Sequence, residues 1–324
     1  MIADIKNRFL DGKTFIDLFA GIGSFRFALE SFGAKCVFSS ELDPHCQDVY
    51  EQNHGDRPAG DITKISENDI PPHDVICGGF PCQAFSINGD QKGFEDDRGK
   101  LFFEICRIAA KHKPWLLFLE NVGNLEGHDG GKTIAVIKAT LEGLGYSVDY
   151  AVLNSSNFGV PQSRKRIYIL ATRGLTPIFP APLNIPVFLR DILLPPAEVT
   201  KYEIDVKSLE GFELCHNRVK PQLAPVRVGK IQGGRQGERI YHPNGHTITL
   251  SSGGGGIGAK TGLYHVGGVV RRLAPRECAR LTGLPDSFVM HKSDSQCYRQ
   301  FGNALVVDVV QRILANLCDG LYSI

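Results

Sequence analysis

From residue 13 to about residue 170 the chain alternates short, nearly continuous apolar runs with longer stretches whose apolar positions recur every three or four residues. Residues 14–19, 35–39, 75–77, 115–119, 147–153 and 166–170 are short and rich in branched and aromatic side chains, the pattern of strands buried on both faces. Between them, 23–32, 44–53, 98–111 and 131–144 carry helical spacing. Strand and helix in alternation predict an α/β fold, an open and mostly parallel sheet with helices on both faces. Prolines at 177, 180, 182, 186, 195 and 196 end this regime. Beyond them helical periodicity is scarce until about 272, and thirteen glycines fall between Gly229 and Gly268. Composition alone reads such a segment as disordered. Ile240, Tyr241, Ile248, Leu250, Ile257 and Tyr264 are interleaved with the glycines, however, and favour loops pinned to short strands. Residues 295–321 return to a helical pattern that suits packing back on the first part. The expected division is a large domain of 1–190 with 290–324, a small irregular domain of 191–275 and a hinge at 276–289.

At 324 residues and 42% hydrophobic the chain can bury a full core. Its net charge of +1 conceals a basic block: residues 216–276 hold ten Lys or Arg against one acid, Glu238, a local +9 that leaves the remainder at −8. A polyanionic partner would use such a block, because phosphate contacts supply most non-specific affinity for nucleic acid; a solvated basic face would look the same. The first residues lack the apolar core of a signal peptide, and no run is long enough to cross a bilayer. The expected location is the cytoplasm, with no membrane partner. Nine cysteines, without a CxxC pair or a Cys/His cluster at zinc spacing, fit reduced thiols and no metal.

Candidate chemistry gathers at the carboxyl ends of the predicted strands, where open α/β sheets place their sites. Cys82 lies in GGFPCQAFS (78–86), where Gly78-Gly79 reads as a strand opening into a tight loop. That is a nucleophile's position, although a lone cysteine is more often a small core residue. Glu120, in ENV (120–122), follows a strand and should emerge on the same sheet edge. A thiolate and a carboxylate facing one site suit addition to an electron-poor ring, the acid holding a proton on a ring nitrogen; Glu120 reads equally as a helix-start residue. DLFAGIGSF (17–25) is a strand, a glycine turn and a helix start, and Glu41 at the end of the next strand is placed to accept from ribose hydroxyls. Asp61 could take an adenine amino group or simply cap a helix. Arg164 and Arg166, one residue apart in QSRKR, would point to the same side, either toward a base oxygen or phosphate or as a charged strand edge.

Together DLFAGIGSF (17–25), GGFPCQAFS (78–86), ENV (120–122), QSRKRIY (162–168), RRLAPRECARLTGLPDSF (271–288) and YRQFGNALV (298–306) resemble the DNA (cytosine-5) methyltransferase family, in its order and over nearly the whole chain. The resemblance implies a class I S-adenosyl-L-methionine-dependent methyltransferase domain at 1–190 and 290–324, and a basic, Gly-rich target-recognition domain at 191–275. It implies that Cys82 attacks carbon 6 of a cytosine flipped out of double-stranded DNA while Glu120 hydrogen-bonds ring nitrogen 3 and the amino group. Arg164 and Arg166 would steady the base and its phosphate, so that carbon 5 receives the methyl group. For the cofactor, Phe19, Gly21 and Ile22 would line the site, Glu41 bind the ribose, Leu42 and Ile62 flank the adenine, Asp61 take its amino group, and Pro81, Leu101 and Asn303 complete the pocket. The loop at 86–99 would close behind the flipped base.

Three positions depart from the family pattern: Asn88 on the closing loop, where a small serine-like residue is usual; Lys165, where an acid is common; and Ala304, where serine is usual. They bear on base flipping and affinity and leave the catalytic groups in place. In the basic segment, Gln236 and Arg239 lie in a glycine-flanked loop that can reach base edges, where arginine pairs two-pronged with guanine and glutamine fills the gap beside a flipped base. The likeness of GRQGERIY (234–241), TITLS (247–251), GGGGI (253–257) and AKTG (259–262) to one family member implies the target GCGC, with its inner cytosine methylated. A monomer with a restriction endonuclease as genetic partner is the expected setting. A transfer-RNA cytosine methylase would share the chemistry, but the basic segment argues for DNA. A non-catalytic DNA-binding relative would be expected to lose Cys82 or Glu120. A thiol hydrolase would need a histidine beside Cys82, for which His73, His112 and His128 are the candidates.

Overall fold

The computed structural model describes residues 8–81, 100–215, 219–253 and 259–321. The chain divides into two units: the first takes in the chain up to Leu153 with Lys165–Ala181 and the stretch from Val310 onward, the second Asn154–Arg164 and Pro182–Val309.

The first unit is built on six strands: β1 (Thr14–Leu18), β2 (Lys35–Ser40), β3 (Val75–Gly79), β4 (Leu116–Val122), β5 (Ser147–Asn154) and β6 (Lys165–Thr172). Their order is β2-β1-β3-β4-β6-β5, with β1 to β4 parallel and β6 antiparallel to β4. The helices are α1 (Ser24–Glu30), α2 (Pro44–His54), α3 (Lys100–His112) and α4 (Lys132–Gly143). Alternation along the strands puts Ile16, Leu18, Ile76, Leu117, Leu119, Ile167 and Ile169 in one core with Ile105 and Ile108 of α3 and Ile134, Ile137 and Leu141 of α4. On the opposite face Phe118 meets Phe25 of α1 edge-on, with ring centroids 5.3 Å apart. Covering both faces makes the central strands nearly continuous in apolar residues, at about 1.5–3 kcal/mol for each large side chain buried. The expected α/β class and its mostly parallel sheet are therefore observed.

One local expectation is corrected. Gly78 and Gly79 do not open a loop; β3 continues through them, in register with Leu119 and Glu120 of β4. The glycines answer to space rather than to turning, since a Cβ on Gly78 would stand 2.8 Å from the Leu18 carbonyl oxygen.

The second unit contains β7 (Glu213–Leu214), β8 (Arg227–Lys230), β9 (Arg239–Tyr241), β10 (Leu263–Val266) and β11 (Val269–Arg271), a sheet in the order β11-β10-β9-β8-β7. Val228, Ile231, Ile240, Leu263 and Val270 form its core. Tyr241, Leu250 and Tyr264 are buried as well, which is how the described part of the Gly-rich stretch packs; Ile257 lies outside the described residues. The unit extends past residue 275 and includes α6 (Pro275–Leu281) and α7 (Asp294–Asn303) along with the short α5 (Pro196–Val199). The terminal α8 (Val307–Leu321) starts in this unit and runs into the first.

A window within residues 294–318, which α7 and α8 share, is apolar enough in composition to span a bilayer, which the sequence did not suggest. Most of that window is buried in protein, and a break after Asn303 separates α7 from α8. Within the basic block, Arg271 is buried and paired twice with Glu277, at 2.8 Å each, while Glu277 also accepts the amides of Leu194 and Ala274. That cation serves the fold, because a buried charge is held only by such a partner.

Candidate active site

Glu120 sits inside β4, not at a helix start, and is 8% exposed. A carboxylate this deep calls for a countercharge. The antiparallel β6 provides it, bringing Arg166 Nε to 3.0 Å from Glu120 Oε1. Arg166 Nη1 also donates to the Lys165 carbonyl at 2.8 Å, which fixes the plane of the guanidinium. The other carboxylate oxygen faces the end of β3, where a Cβ on Gly79 would stand 3.2 Å from Oε2. Gly79 thus leaves the room in which the carboxylate is oriented. Asn121, buried beside it, donates Nδ2 to the Phe80 carbonyl at 2.8 Å and so holds the chain two residues ahead of Cys82. Asn121 was not anticipated, and its place in ENV next to Glu120 was its only signal. Cys82, Asn88 and the loop at 86–99 lie outside the described residues. Pro81, just before them, is exposed.

Arg164 does not match its expected role. It is 1% exposed, and its guanidinium donates to the carbonyls of Leu250 (3.2 Å), Gly302 (2.9 Å) and Ala304 (2.6 Å). Its amide donates to Asn154 Oδ1. Gln162, fully buried, donates to the Leu281 carbonyl at 2.8 Å and accepts the Leu250 amide at 3.1 Å. The backbone nearby pairs with 247–249, through Thr247 N to Pro161 O and Ser163 N to Thr247 O. Strand periodicity failed because Arg164 precedes β6, so the rule that alternate residues share a side does not reach it. Gly302 completes this strut: a Cβ there would stand 2.2 Å from the Ser252 amide nitrogen, so only glycine permits the approach. Asn303, next along, ends α7 and is exposed in the second unit.

The glycine turn after β1 and the acid after β2 are joined directly. Gly21 N donates to Glu41 Oε2 at 2.7 Å, and Asp43 N to Oε1 at 2.8 Å. A carboxylate has about four acceptor positions, so it can still receive hydroxyls. A Cβ on Gly21 would meet nothing within 4 Å, and Leu42 is 72% exposed, an unusual state for a large apolar side chain. Phe19 holds a positive φ of 54°, a costly conformation for a bulky residue and one that concentrates at ligand sites. Asp61 does cap a short turn, Oδ1 accepting from Thr63 Oγ1 (2.7 Å) and N (3.0 Å), and those bonds hold its carboxyl below the usual range. Ile22 and Ile62 are buried, and Leu101 is half-buried at the start of α3. Backbone that meets open space, an acid with acceptor capacity and an exposed apolar side chain fit a nucleoside-bearing cofactor.

In the second unit Gln236 is exposed at the start of a single turn, Gln236–Glu238. Buried Glu238 caps it by accepting the Arg235 amide at 2.7 Å, and Arg239 Nε donates to the Gly234 carbonyl at 3.1 Å. The loop is ordered by its own side chains before any partner arrives.

The histidines that a thiol hydrolase would require are committed elsewhere. His73 Nδ1 lies 2.8 Å from the Pro71 carbonyl, burial pushes its imidazole down to about 4, and the five-residue β3 separates it from the approach to Cys82. His112 Nε2 bonds the Glu67 carbonyl and His128 Nδ1 the Thr133 hydroxyl.

This sheet order, with a glycine turn tied to an acid at one strand end and a carboxylate–arginine pair at another, is that of an enzyme with a Rossmann-like methyltransferase fold. The solved S. pombe Dnmt2 methyltransferase shares the fold, with a TM-score of 0.73 over 95% of this chain and 99% of that one at 20% identity. The chain belongs to the C-5 cytosine-specific DNA methylase family, which it matches over residues 13–319, and is an S-adenosyl-L-methionine-dependent DNA (cytosine-5-)-methyltransferase. It is 51% identical over 324 residues to the type II methyltransferase M.HhaI of Haemophilus parahaemolyticus, covering 98% of each chain. To the type II methyltransferase M.HpaII of Haemophilus parainfluenzae it is 42% identical over 316 residues, 92% of this chain and 87% of that one.

Proposed function

We propose that this protein methylates carbon 5 of a cytosine flipped out of the double-stranded DNA sequence GCGC, through a covalent Cys82 adduct, as the methylase of a type II restriction-modification system. The observation that carries the reading is the Glu120–Arg166 pair, set across from Gly79 three residues before Cys82. The Cys82 thiolate adds to carbon 6. Glu120, oriented by Arg166, hydrogen-bonds ring nitrogen 3 and the amino group as electron density moves into the ring. When bound, S-adenosyl-L-methionine supplies the electrophilic methyl group and departs as S-adenosyl-L-homocysteine; carbon 5 then gives up its proton to water and the Cys82–carbon 6 bond breaks, returning the thiolate and leaving 5-methylcytosine. Phe19, Gly21, Glu41, Leu42 and Asp61 bind its adenosine portion, with Ile22, Ile62, Pro81, Leu101 and Asn303 around it. Arg164 acts one step back, by holding Leu250, Gly302 and Ala304 in place. Residues 191–275 read the DNA, Gln236 and Arg239 reach the bases, and Asn88 lies on the loop that closes behind the flipped nucleotide. The enzyme works as a monomer in the cytoplasm, alongside a cognate endonuclease.

Bisulfite sequencing of DNA from cells expressing the chain tests the target, and methylation in an unrelated context rejects GCGC. Arg239→Ala is expected to lose about 1–3 kcal/mol of discrimination at one guanine, read from binding to single-substitution duplexes. Equal weakening on every duplex would make Arg239 a phosphate contact. Glu41→Ala and Asp61→Ala are each expected to weaken cofactor binding by about 1.5–3 kcal/mol, the worth of a charge-assisted hydrogen bond. Unchanged affinity in both, by calorimetry, would mean that the adenosine lies elsewhere.

A further inference from the structure

Behind the glycine turn lies a network of polar groups, from the nearly buried Arg26 out to the exposed carboxylates of Glu30 and Asp56, that the proposed chemistry does not use. Arg26, on the first turns of α1, is nearly buried. Its Nη1 donates to Asp56 Oδ1 at 2.6 Å and to the Tyr50 hydroxyl at 3.3 Å, its Nε to Glu30 Oε1 at 2.7 Å, and its Nη2 to the His54 carbonyl at 3.5 Å. The last of these places a cation on the carbonyl end of α2, where the helix dipole favours it. The His54 ring packs against Phe27 and Tyr50, with centroids 4.7 and 4.6 Å away and ring planes tilted by 56° and 50°, and it also lies against the cofactor turn itself. A Cβ on Gly23 would stand 2.2 Å from His54 Nε2. Burial, then the charge of Arg26, push the imidazole down to about 4, so the ring against Gly23 is neutral at ordinary pH.

The other end of α2 is fixed to the same turn. Glu41 accepts both the Gly21 amide and the amide of Asp43, the N-cap of α2. We infer that α2 is a brace for the cofactor turn: Arg26, Asp56 and His54 are positioning residues that set the Gly21–Gly23 backbone at the distance the methyl donor requires. The inference rests on the reading of Gly21 and Glu41 as the cofactor site. Removing the His54 ring lets the turn relax toward α2 and moves the Gly21–Gly23 backbone, and the Glu41 carboxylate bonded to it, away from the cofactor, so the loss falls on cofactor binding and not on DNA or on the chemistry at saturation.

The test uses the whole chain, with the Kd for S-adenosyl-L-methionine measured by calorimetry in the absence of DNA, beside KM for S-adenosyl-L-methionine, KM for DNA and kcat. His54→Ala is expected to raise the cofactor KM about tenfold, the factor of roughly 1.4 kcal/mol, with DNA KM and kcat unchanged. His54→Phe, which refills the space between Phe27 and Tyr50, should restore the wild-type value. Asp56→Asn, which keeps the shape of an exposed side chain and removes the charge paired with Arg26, should raise the cofactor KM in the same direction. A cofactor KM unchanged in both His54→Ala and Asp56→Asn overturns the brace, as does a rise shared equally by cofactor and DNA, which marks general loosening. Glu41→Ala separates the two levels. If it leaves cofactor affinity intact, the site reading fails and the brace with it; if it weakens binding while His54→Ala and Asp56→Asn do not, the brace alone fails.

Discussion

Cys82→Ala is expected to lower methyl transfer by several orders of magnitude while leaving specific DNA binding near its wild-type level. Carbon 5 of cytosine is a poor nucleophile until a nucleophile has added at carbon 6, and in the proposed mechanism the Cys82 thiolate makes that addition. Duplex affinity comes mainly from phosphate contacts and base edges, which the sulfur does not make. The companion measurement uses a duplex carrying 5-fluorocytosine at the target, where carbon 5 holds fluorine in place of the proton that must leave. Wild-type enzyme with S-adenosyl-L-methionine should give an adduct that survives denaturation, and Cys82→Ala should give none. Methyl incorporation by Cys82→Ala at the wild-type rate, or failure of the wild type to trap, would sink the covalent mechanism.

The strands and helices of the first unit were legible because each is specified locally. Period and composition marked all six strands, and the acid or glycine turn at the end of a run follows from where such sheets place their loops. The pairing of Glu120 with Arg166 was less so. Each was identified singly, but that they meet depends on β6 inserting between β4 and β5, an order no local pattern encodes. Gly79 was noticed for the wrong reason: a glycine that makes room for a carboxylate and one that turns the chain look alike in a string of letters. Arg164 was out of reach. Two of its three carbonyl partners lie 138 and 140 residues further along the chain, and nothing in QSRKR separates an arginine that touches substrate from one that holds backbone.

That difference sets the final expected result. Arg164→Ala strips three buried carbonyls of their donor at about 1–3 kcal/mol for each group left unsatisfied, so a total near 3–5 kcal/mol is expected even after partial relaxation. Against a typical total of about 5–15 kcal/mol this is a large share, and the thermal midpoint should fall by many degrees. Arg166→Ala should be read first in turnover. Its guanidinium is the 3.0 Å partner that orients Glu120, so kcat should collapse, and whatever stability is lost with the ion pair should not account for a fall in turnover measured well below the thermal midpoint. Thermal denaturation and steady-state kinetics on the two variants, with Arg164→Lys as a partial replacement of the lost donors, separate these roles. An Arg164→Ala protein that melts like the wild type but turns over slowly would return Arg164 to the substrate, and with it the paired reading of the two arginines.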